Sequence, residues 1–408
     1  MKKIAVLGFG VVGSGTVELF YKNKAKIEKS TGEELDIKYI LDIREFPDSP
    51  YASKVVHDIN LILNDDEVKV VAEVMGGVEP AFTFVKSCLE KNKSVVTSNK
   101  ELVAKKGAEL LKVAKEHNVN FFFEASVGGA IPIITPLHQC LVANDITEVA
   151  GILNGTTNYI LTRMKNEKKQ YSDILSEAQR LGYAEKDPTA DVEGFDACRK
   201  ICILASLAFG KHVYPQNVKT QGISSISLDD FEYADKLGRS IKLIGYTKKT
   251  ADGRVVVFVA PCMLGADCML STVTDVFNAV MVKGDGIDKT MFYGRGAGKL
   301  PTASAVVADI ADAVKADGTS LSLTWEDCDN TGYVADYTDE RIKMYLRIDN
   351  MSKADAEKTF AGCNILDIKE NTAILVTDEM TEKAIDEAIA KAEANGSKVA
   401  GKIRFFDI

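Results

Sequence analysis

Residues 3–13 read Lys3-Ile4-Ala5-Val6-Leu7-Gly8-Phe9-Gly10-Val11-Val12-Gly13. The reading of this stretch decides the fold. A short β-rich run passes at once into G-x-G-x-x-G, and a helical pattern continues through Gly15 to about Tyr21. A strand before and a helix after is the context that the dinucleotide fingerprint requires. The first glycine makes the tight turn and the second lets the backbone approach a pyrophosphate. The third lets the helix pack on the sheet, with its N-terminus toward the phosphates. The plainer alternative is a tight βα turn with no ligand. Gly8, Phe9, Gly10, Val11, Val12 and Gly13 are therefore the candidate nucleotide loop.

Working outward, the next strand runs from Asp36 to Ile43, with Asp42 at its end and Arg44 beyond. An acid there hydrogen-bonds the ribose of NAD, whereas an arginine pairs with the 2′-phosphate of NADP. Both are present, so the cofactor is NADP or NAD. The pattern then predicts a helix over 54–63, a strand over 68–75, a helix over 81–91 and a strand over 94–98. A helix over 100–117 and a strand over 119–124 complete the set. Such alternation predicts a Rossmann-type, doubly wound parallel sheet, whose ligands collect at the carboxyl ends of the strands. Gly76-Gly77, the run Thr97-Ser98-Asn99-Lys100 and the loop from Glu124 to Ile131 all sit at such ends. Lys100 opens a helix, where a cation faces the positive end of the helix dipole. A role in the crevice explains that mismatch; an ordinary exposed lysine is the alternative.

The chain has 408 residues, 46% of them hydrophobic and 27% charged, enough for two or three domains. Its net charge of −9 argues against sequence-independent binding to nucleic acid. No apolar run reaches membrane-spanning length and the N-terminus enters a strand directly, so a cytoplasmic location is expected. The eight cysteines contain no Cys-x-x-Cys pair and read as small core residues in a reducing compartment. The four histidines are dispersed, which points to a base other than histidine.

After residue 131 the pattern changes. The run Gly151-Ile152-Leu153-Asn154-Gly155-Thr156-Thr157 carries a strand through a loop into a helix, offering NH groups and hydroxyls to a small carboxylate or simply capping the helix. Further on, Glu185, Asp187, Asp191, Glu193 and Asp196 precede Lys200. Asp196 and Lys200 are four apart on a predicted helix and share a face. The cluster suits an amino group held beside a lysine ready to exchange a proton; a solvated acidic loop before a helix is the bland alternative. The flanking residues 197–208 are nearly all apolar, which leaves little helix surface for solvent. Two hairpins are predicted, over 240–260 and over 278–293. A glycine-rich turn with Gly296 and Gly298 then opens a helix that returns to the nucleotide domain. Residues 340–408 repeat strand and helix in the order βαββαβ, a ferredoxin-like module, after a linker over 317–339.

Six ordered motifs resemble homoserine dehydrogenase over about residues 1–316: the loop at Gly8–Gly13, Thr97-Ser98-Asn99-Lys100-Glu101, the run from Phe123 to Pro132, the run from Gly151 to Ile160, the run from Asp187 to Lys200, and the run from Gly296 to Val306. The resemblance implies interconversion of L-homoserine and L-aspartate 4-semialdehyde with NAD(P), on the route to threonine and methionine, in a homodimer or homotetramer. By motif, Lys200 is the proton donor and acceptor, supported by Asp196, and Lys100 contacts cofactor and substrate. Glu185 and Asp191 hold the homoserine ammonium and hydroxyl ends, with Tyr183, Gly155 and Thr156 lining the pocket. Thr97 and Ser98 fall among the cofactor contacts. Glu124 and the carbonyls of Val127, Gly129 and Ile131 match ligands of a structural sodium ion, a hard cation suited to oxygen. The implied domains are 1–130 plus 294–316 for the nucleotide, 131–293 for catalysis and dimerisation, and 340–408 for regulation. That last module resembles an ACT domain, although Asp349-Asn350-Met351-Ser352-Lys353 replaces the usual turn. A threonine effector or a purely oligomeric role are both open for it. A different amino- or hydroxy-acid dehydrogenase and a non-catalytic regulatory homologue are the rival readings of the whole chain.

Overall fold

The computed structural model describes residues 1–321, 323–328 and 332–408. Its elements begin with β1 (Lys2–Leu7), α1 (Val11–Lys22), α2 (Lys24–Thr31), β2 (Leu35–Leu41), β3 (Val55–Val56), α3 (Asn60–Leu63), β4 (Val68–Glu73), α4 (Ala81–Glu90), β5 (Ser94–Thr97), α5 (Lys100–Glu116) and β6 (Phe121–Phe122). There follow β7 (Ile146–Ile152), α6 (Gly155–Glu167), α7 (Tyr171–Arg180), α8 (Thr189–Val192), α9 (Phe195–Phe209), β8 (Lys219–Thr220), α10 (Leu228–Lys236), β9 (Arg239–Lys249), β10 (Val255–Gly265), β11 (Phe277–Gly284), β12 (Asp288–Arg295) and α11 (Lys299–Lys315). The chain closes with β13 (Arg341–Ile342), β14 (Met344–Asp349), α12 (Lys353–Thr359), β15 (Asn364–Lys369), β16 (Thr372–Val376), β17 (Met380–Thr381), α13 (Glu382–Ala394) and β18 (Lys398–Phe406). Two compact units result: Met1–Thr147 with Cys202–Asn217 and Lys283–Thr331, and Glu148–Ile201 with Val218–Val282 and Gly332–Ile408.

The first unit is built on a parallel sheet in the order β3-β2-β1-β4-β5-β6. This is the doubly wound order, and its switch point lies between β1 and β4, where the first glycine turn sits. The strands are apolar because both faces are covered; Ile4, Val6, Val70, Ala72 and Val96 are fully or almost fully buried. The returning helix α11 packs on α1 and buries Val306 and Ile310 in the same core. A methyl group on Gly15 would sit 2.9 Å from the Lys299 carbonyl, so only glycine allows this approach.

Three sequence expectations are corrected here. The helix expected over 54–63 is cut short: Val55 and Val56 pair with Ile40 and Leu41 as an edge strand, and only Asn60–Leu63 is helical. β-Branched pairs favour that pleated edge over a helical turn. The strand expected over 119–124 pairs only at Phe121 and Phe122, because the chain turns at Glu124 to wrap its carboxylate. The linker expected over 317–339 is packed where it is described. Trp325 is 5% exposed, its indole N–H donates to His212 Nδ1 at 2.9 Å, and Asn120 bonds the backbone at Thr319 and Leu321. Positions 322 and 329–331 of that segment lie outside the described residues.

In the second unit one mixed sheet runs β11-β7-β9-β10-β18-β14-β16-β15. The β9–β10 hairpin is antiparallel over eleven residue pairs, and Cys262–Leu264 of β10 pair in parallel with Arg404–Phe406 of β18. The C-terminal segment keeps the expected order of strands and helices, yet it does not form a separate compact unit. Its strands extend the sheet of β7, β9 and β10, and buried charges fasten the seam. Asp230, fully buried, accepts from Tyr345 Oη at 3.0 Å and from Arg347 Nε at 3.0 Å. The strand expected over 341–348 is broken at Lys343, and its first piece pairs with β17 instead. Five of the eight cysteines are buried; Cys140 is exposed, contrary to the expectation of core thiols throughout, and Cys328 and Cys363 are intermediate.

Candidate active site

In the first unit a cleft of about 510 Å³ opens at the carboxyl ends of β1, β2 and β4. Gly8, Gly10, Asp42, Arg44, His57 and Met75 line it. Gly8 has φ +98° and abuts Met75; Gly13 cannot bear a side chain, because its Cβ would lie 2.0 Å from the Gly8 carbonyl oxygen. Gly10 differs: a Cβ there would meet nothing within 4 Å. Its lack of a side chain serves the open space above the turn rather than the packing below, as a pyrophosphate requires. The N-terminus of α1 has no side-chain cap, so its NH groups remain for a phosphate. Ile43, which lines the cleft, is 96% exposed. The residues present fit a dinucleotide.

Asp42 accepts the Phe9 N–H at 2.7 Å and a bidentate contact from Arg44, 2.9 Å at both ends. The guanidinium, more than the backbone NH groups, holds the Asp42 carboxyl down at about 2. The acid that favours a ribose and the base that favours a 2′-phosphate are thus paired with each other. His57, which sequence reasoning left aside, closes the same corner, with Nδ1 2.7 Å from the Asp42 carbonyl. No spacing rule in the sequence links it to Asp42.

The other strand-end loops are pinned around buried Glu73, also missed from sequence. Its carboxylate accepts from Thr97 Oγ1 at 2.6 Å and from the Met75 N–H at 2.8 Å, while burial pushes its pKa up. Asn99 donates to the Gly77 carbonyl at 2.6 Å and caps α5 by accepting from Leu102. These bonds fix Thr97, Ser98 and half-buried Lys100 at the start of α5. The Glu124 carboxylate is gripped by three backbone NH groups, from Ile133 at 2.6 Å, Ile134 at 2.9 Å and Thr135 at 2.7 Å. The following loop, with Val127, Gly129 and Ile131, lies on the Gly296 turn; a Cβ on Gly129 would be 2.6 Å from the Gly296 carbonyl oxygen. Gly298 precedes α11 as its N-terminal cap residue.

The second unit gathers the acid and base groups. Lys200 is 7% exposed; its Nζ donates to Asp196 Oδ2 at 2.6 Å and to the Leu153 carbonyl at 2.8 Å. Asn154 organises the cluster. Its Oδ1 caps α6 by accepting from Thr157, while its Nδ2 donates to Asp191 Oδ1 at 2.7 Å and Asp196 Oδ2 at 2.9 Å. An amide is the one side chain that accepts on one end and donates twice on the other. In the sequence Asn154 reads only as a helix cap. Thr156 Oγ1 donates to the Tyr183 carbonyl at 2.7 Å, and Gly155 is required because Val276 O would lie 2.7 Å from its Cβ. Tyr183 is 45% exposed and Glu185 is exposed. The structure therefore brings Lys200, Asp196 and Asp191 together around Asn154 and joins Thr156 to Tyr183. Glu185 stands outside this network among the described residues; its backbone carbonyl accepts from Gln179. A buried lysine held by fixed acceptors beside two carboxylates is equipped to exchange a proton with a polar substrate.

Among the described residues no group of three or more histidine, cysteine or acidic side chains is arranged to hold a metal, and no helix is long and apolar enough to cross a membrane.

Comparison with known proteins adds to this geometry. The family described as "Homoserine dehydrogenase, NAD binding domain" matches residues 8–124, and the family described as "Homoserine dehydrogenase" matches residues 132–311. The homoserine dehydrogenase of Pseudomonas aeruginosa is 37% identical, covering 96% of this chain and 95% of that protein. A homoserine dehydrogenase crystal structure from Thiobacillus denitrificans superposes with a TM-score of 0.89 at 36% identity, covering 100% of this chain and 98% of that one. A hyperthermophilic archaeal homoserine dehydrogenase in complex with NADPH gives a TM-score of 0.64 at 28% identity, covering 77% of this chain and 98% of that one. With its nucleotide cleft, its buried lysine and relatives matched over almost their whole length, the chain belongs to the homoserine dehydrogenase family of NAD(P)-binding oxidoreductases.

Proposed function

We propose that Lys200 is the acid and base of this homoserine dehydrogenase, taking the hydroxyl proton of L-homoserine on oxidation and returning it to L-aspartate 4-semialdehyde on reduction. The observation that carries the reading is the buried Lys200 amino group, which donates to Asp196 at 2.6 Å and to the Leu153 carbonyl at 2.8 Å and, when neutral, keeps its lone pair for the substrate hydroxyl. Asp196 orients Lys200, and Asn154 holds Asp196 and Asp191 in register. Asp191 receives one polar end of the substrate, and Glu185, exposed before binding, receives the ammonium. Gly155, Thr156 and Tyr183 line the substrate's path. Lys100 contacts cofactor and substrate from the head of α5. The nicotinamide, when bound, accepts or returns the hydride. Gly8 to Gly13, Asp42, Arg44, Thr97, Ser98, Gly296 and Gly298 hold the dinucleotide, as NAD or as NADP once Arg44 swings from Asp42 to a 2′-phosphate.

A sodium ion fits as a structural partner of the loop after Glu124. Three NH groups use three of the roughly four lone-pair directions of that carboxylate, leaving one for a hard cation beside the Val127, Gly129 and Ile131 carbonyls. The C-terminal segment, with strand order β18-β14-β16-β15, supports a ferredoxin-like, ACT-like reading. Threonine is its candidate effector, and assembly of a dimer or tetramer its alternative role. The test of the central assignment is Lys200→Ala. Turnover in both directions is expected to vanish while cofactor affinity, measured by fluorescence titration, stays within a factor of about two. Comparable activity in that variant refutes the assignment.

A further inference from the structure

The exposed Tyr183 ring leans on a buried one. Its centre lies 4.9 Å from that of Tyr159 on α6, with the two planes inclined at 52°. Tyr159 is 2% exposed, and its hydroxyl is buried with no hydrogen-bond partner among the described residues. An unsatisfied hydroxyl adds no stability, so what Tyr159 contributes is its ring. Arg163 follows one turn later on the same helical face. Its guanidinium carbon is 5.2 Å from the centre of the Tyr159 ring. The guanidinium is itself fixed, with Nη1 donating to Glu167 at 3.0 Å and Nε 3.5 Å from an Asp275 carboxylate oxygen. One face of α6 thus presents a fixed cation, then a buried ring, and against that ring the side chain of Tyr183. All of these residues belong to the second unit.

The segment that carries Tyr183 needs such an anchor. Residues 181–187, between α7 and α8, are exposed apart from Ala184. Backbone bonds set the course of the chain: the Tyr183 N–H donates to the Ala178 carbonyl, the Tyr183 carbonyl accepts from Thr156, and the carbonyls of Glu185 and Lys186 accept from Gln179. The ring contact adds the side-chain hold. Exposed segments with few buried contacts open at small cost in free energy. A ligand that needs the closed arrangement then binds more weakly, in proportion to the fraction of molecules that have it.

We propose that Tyr159 and Arg163 are positioning residues of the substrate pocket: the Tyr159 ring, steadied by the Arg163 guanidinium, holds Tyr183 and keeps the segment through Glu185 in the arrangement that receives the amino-acid end of the substrate. The inference rests on the pocket role given to Tyr183 and Glu185 above. Lys200 is held separately, by Asp196 and the Leu153 carbonyl, so the effect falls on KM for homoserine and not on kcat.

The test is steady-state oxidation of homoserine by the full-length protein at saturating cofactor, with Tm and NADPH affinity measured on each variant. Tyr159→Leu is expected to raise KM about 3- to 10-fold, as loss of one aromatic pair implies, with kcat and NADPH affinity within about twofold of the wild type. Tyr159→Phe keeps the ring, loses only the unpartnered hydroxyl, and returns KM to the wild-type value. Arg163→Met, at a partly exposed position that does not threaten the fold, raises KM about 2- to 5-fold. Tyr183→Leu raises KM by itself, and adding Tyr159→Leu to it raises KM no further, because the ring to be held is gone. Unchanged KM in Arg163→Met or in Tyr159→Leu, equal rises in Tyr159→Phe and Tyr159→Leu, additive rises in the double variant, or a loss confined to kcat overturns the positioning roles. A wild-type KM in Tyr183→Leu overturns the pocket reading itself, and the positioning roles fall with it.

Discussion

Two glycines three positions apart in the nucleotide loop are predicted to fail in opposite ways. In Gly13→Ala the new methyl lands 2.0 Å from the Gly8 carbonyl oxygen, more than an ångström inside ordinary contact, and both partners are backbone. The βα turn must deform, and overpacking of this kind costs about 1–3 kcal/mol of stability or more. In Gly10→Ala the methyl meets nothing within 4 Å, and the residue has φ −80°, which alanine adopts without strain. Such a change is neutral or stabilises by about 0.4–1 kcal/mol, because alanine narrows the unfolded ensemble. The methyl instead occupies the space through which a pyrophosphate reaches the turn. The same cost of about 1–3 kcal/mol then appears in binding, a weakening of the cofactor by about 5- to 150-fold. The assay is a pair of measurements on each variant: thermal unfolding without ligand, and fluorescence titration with NADPH and NADH. Gly13→Ala lowers Tm by several degrees, whereas Gly10→Ala keeps Tm and loses cofactor affinity. If Gly10→Ala binds cofactor like the wild type, or destabilises as much as Gly13→Ala, the reasoning from the turn is refuted.

Two further outcomes follow from buried charges. Lys242 is 5% exposed, and burial, reinforced by nearby Lys165 and opposed by Asp275, lowers its pKa to about 8, against about 10.4 in an unfolded chain. Between those values the unfolded chain holds the proton that the folded protein has released, so stability rises with pH across that window and is flat in this contribution below it. Thermal unfolding from pH 7 to pH 10 is expected to show wild-type Tm gaining on that of Lys242→Met; parallel curves refute the assignment. Removing residues 340–408 strips β18 from β10 and takes Tyr345 and Arg347 from buried Asp230. An edge strand and an unpaired buried carboxylate are left, so the shortened protein is expected to aggregate on expression. A soluble, active product recovered by size-exclusion chromatography contradicts a C-terminal segment integral to the sheet.

The local features were legible in the sequence because they are governed by local physics. Strand, Gly-x-Gly-x-x-Gly and helix named the parallel sheet, since only glycine permits the backbone positions at Gly8 and Gly13. The spacing of Asp196 and Lys200 placed them on one helical face, and they are 2.6 Å apart. Helical pattern could not foresee that Val55 and Val56 leave the helix for a sheet edge, because that choice depends on a partner strand distant in sequence. Only tertiary structure turned Asn154 from a cap into the bridge between two carboxylates and brought His57 to Asp42 and Glu73 to Thr97. It also decided that residues 340–408 join the sheet of β7, β9 and β10 rather than hang from a linker. Sheet edges are satisfied by whichever chain segment reaches them, and buried charges such as Asp230 and Glu382 then lock that choice. Neither effect leaves a local trace in the order of the amino acids.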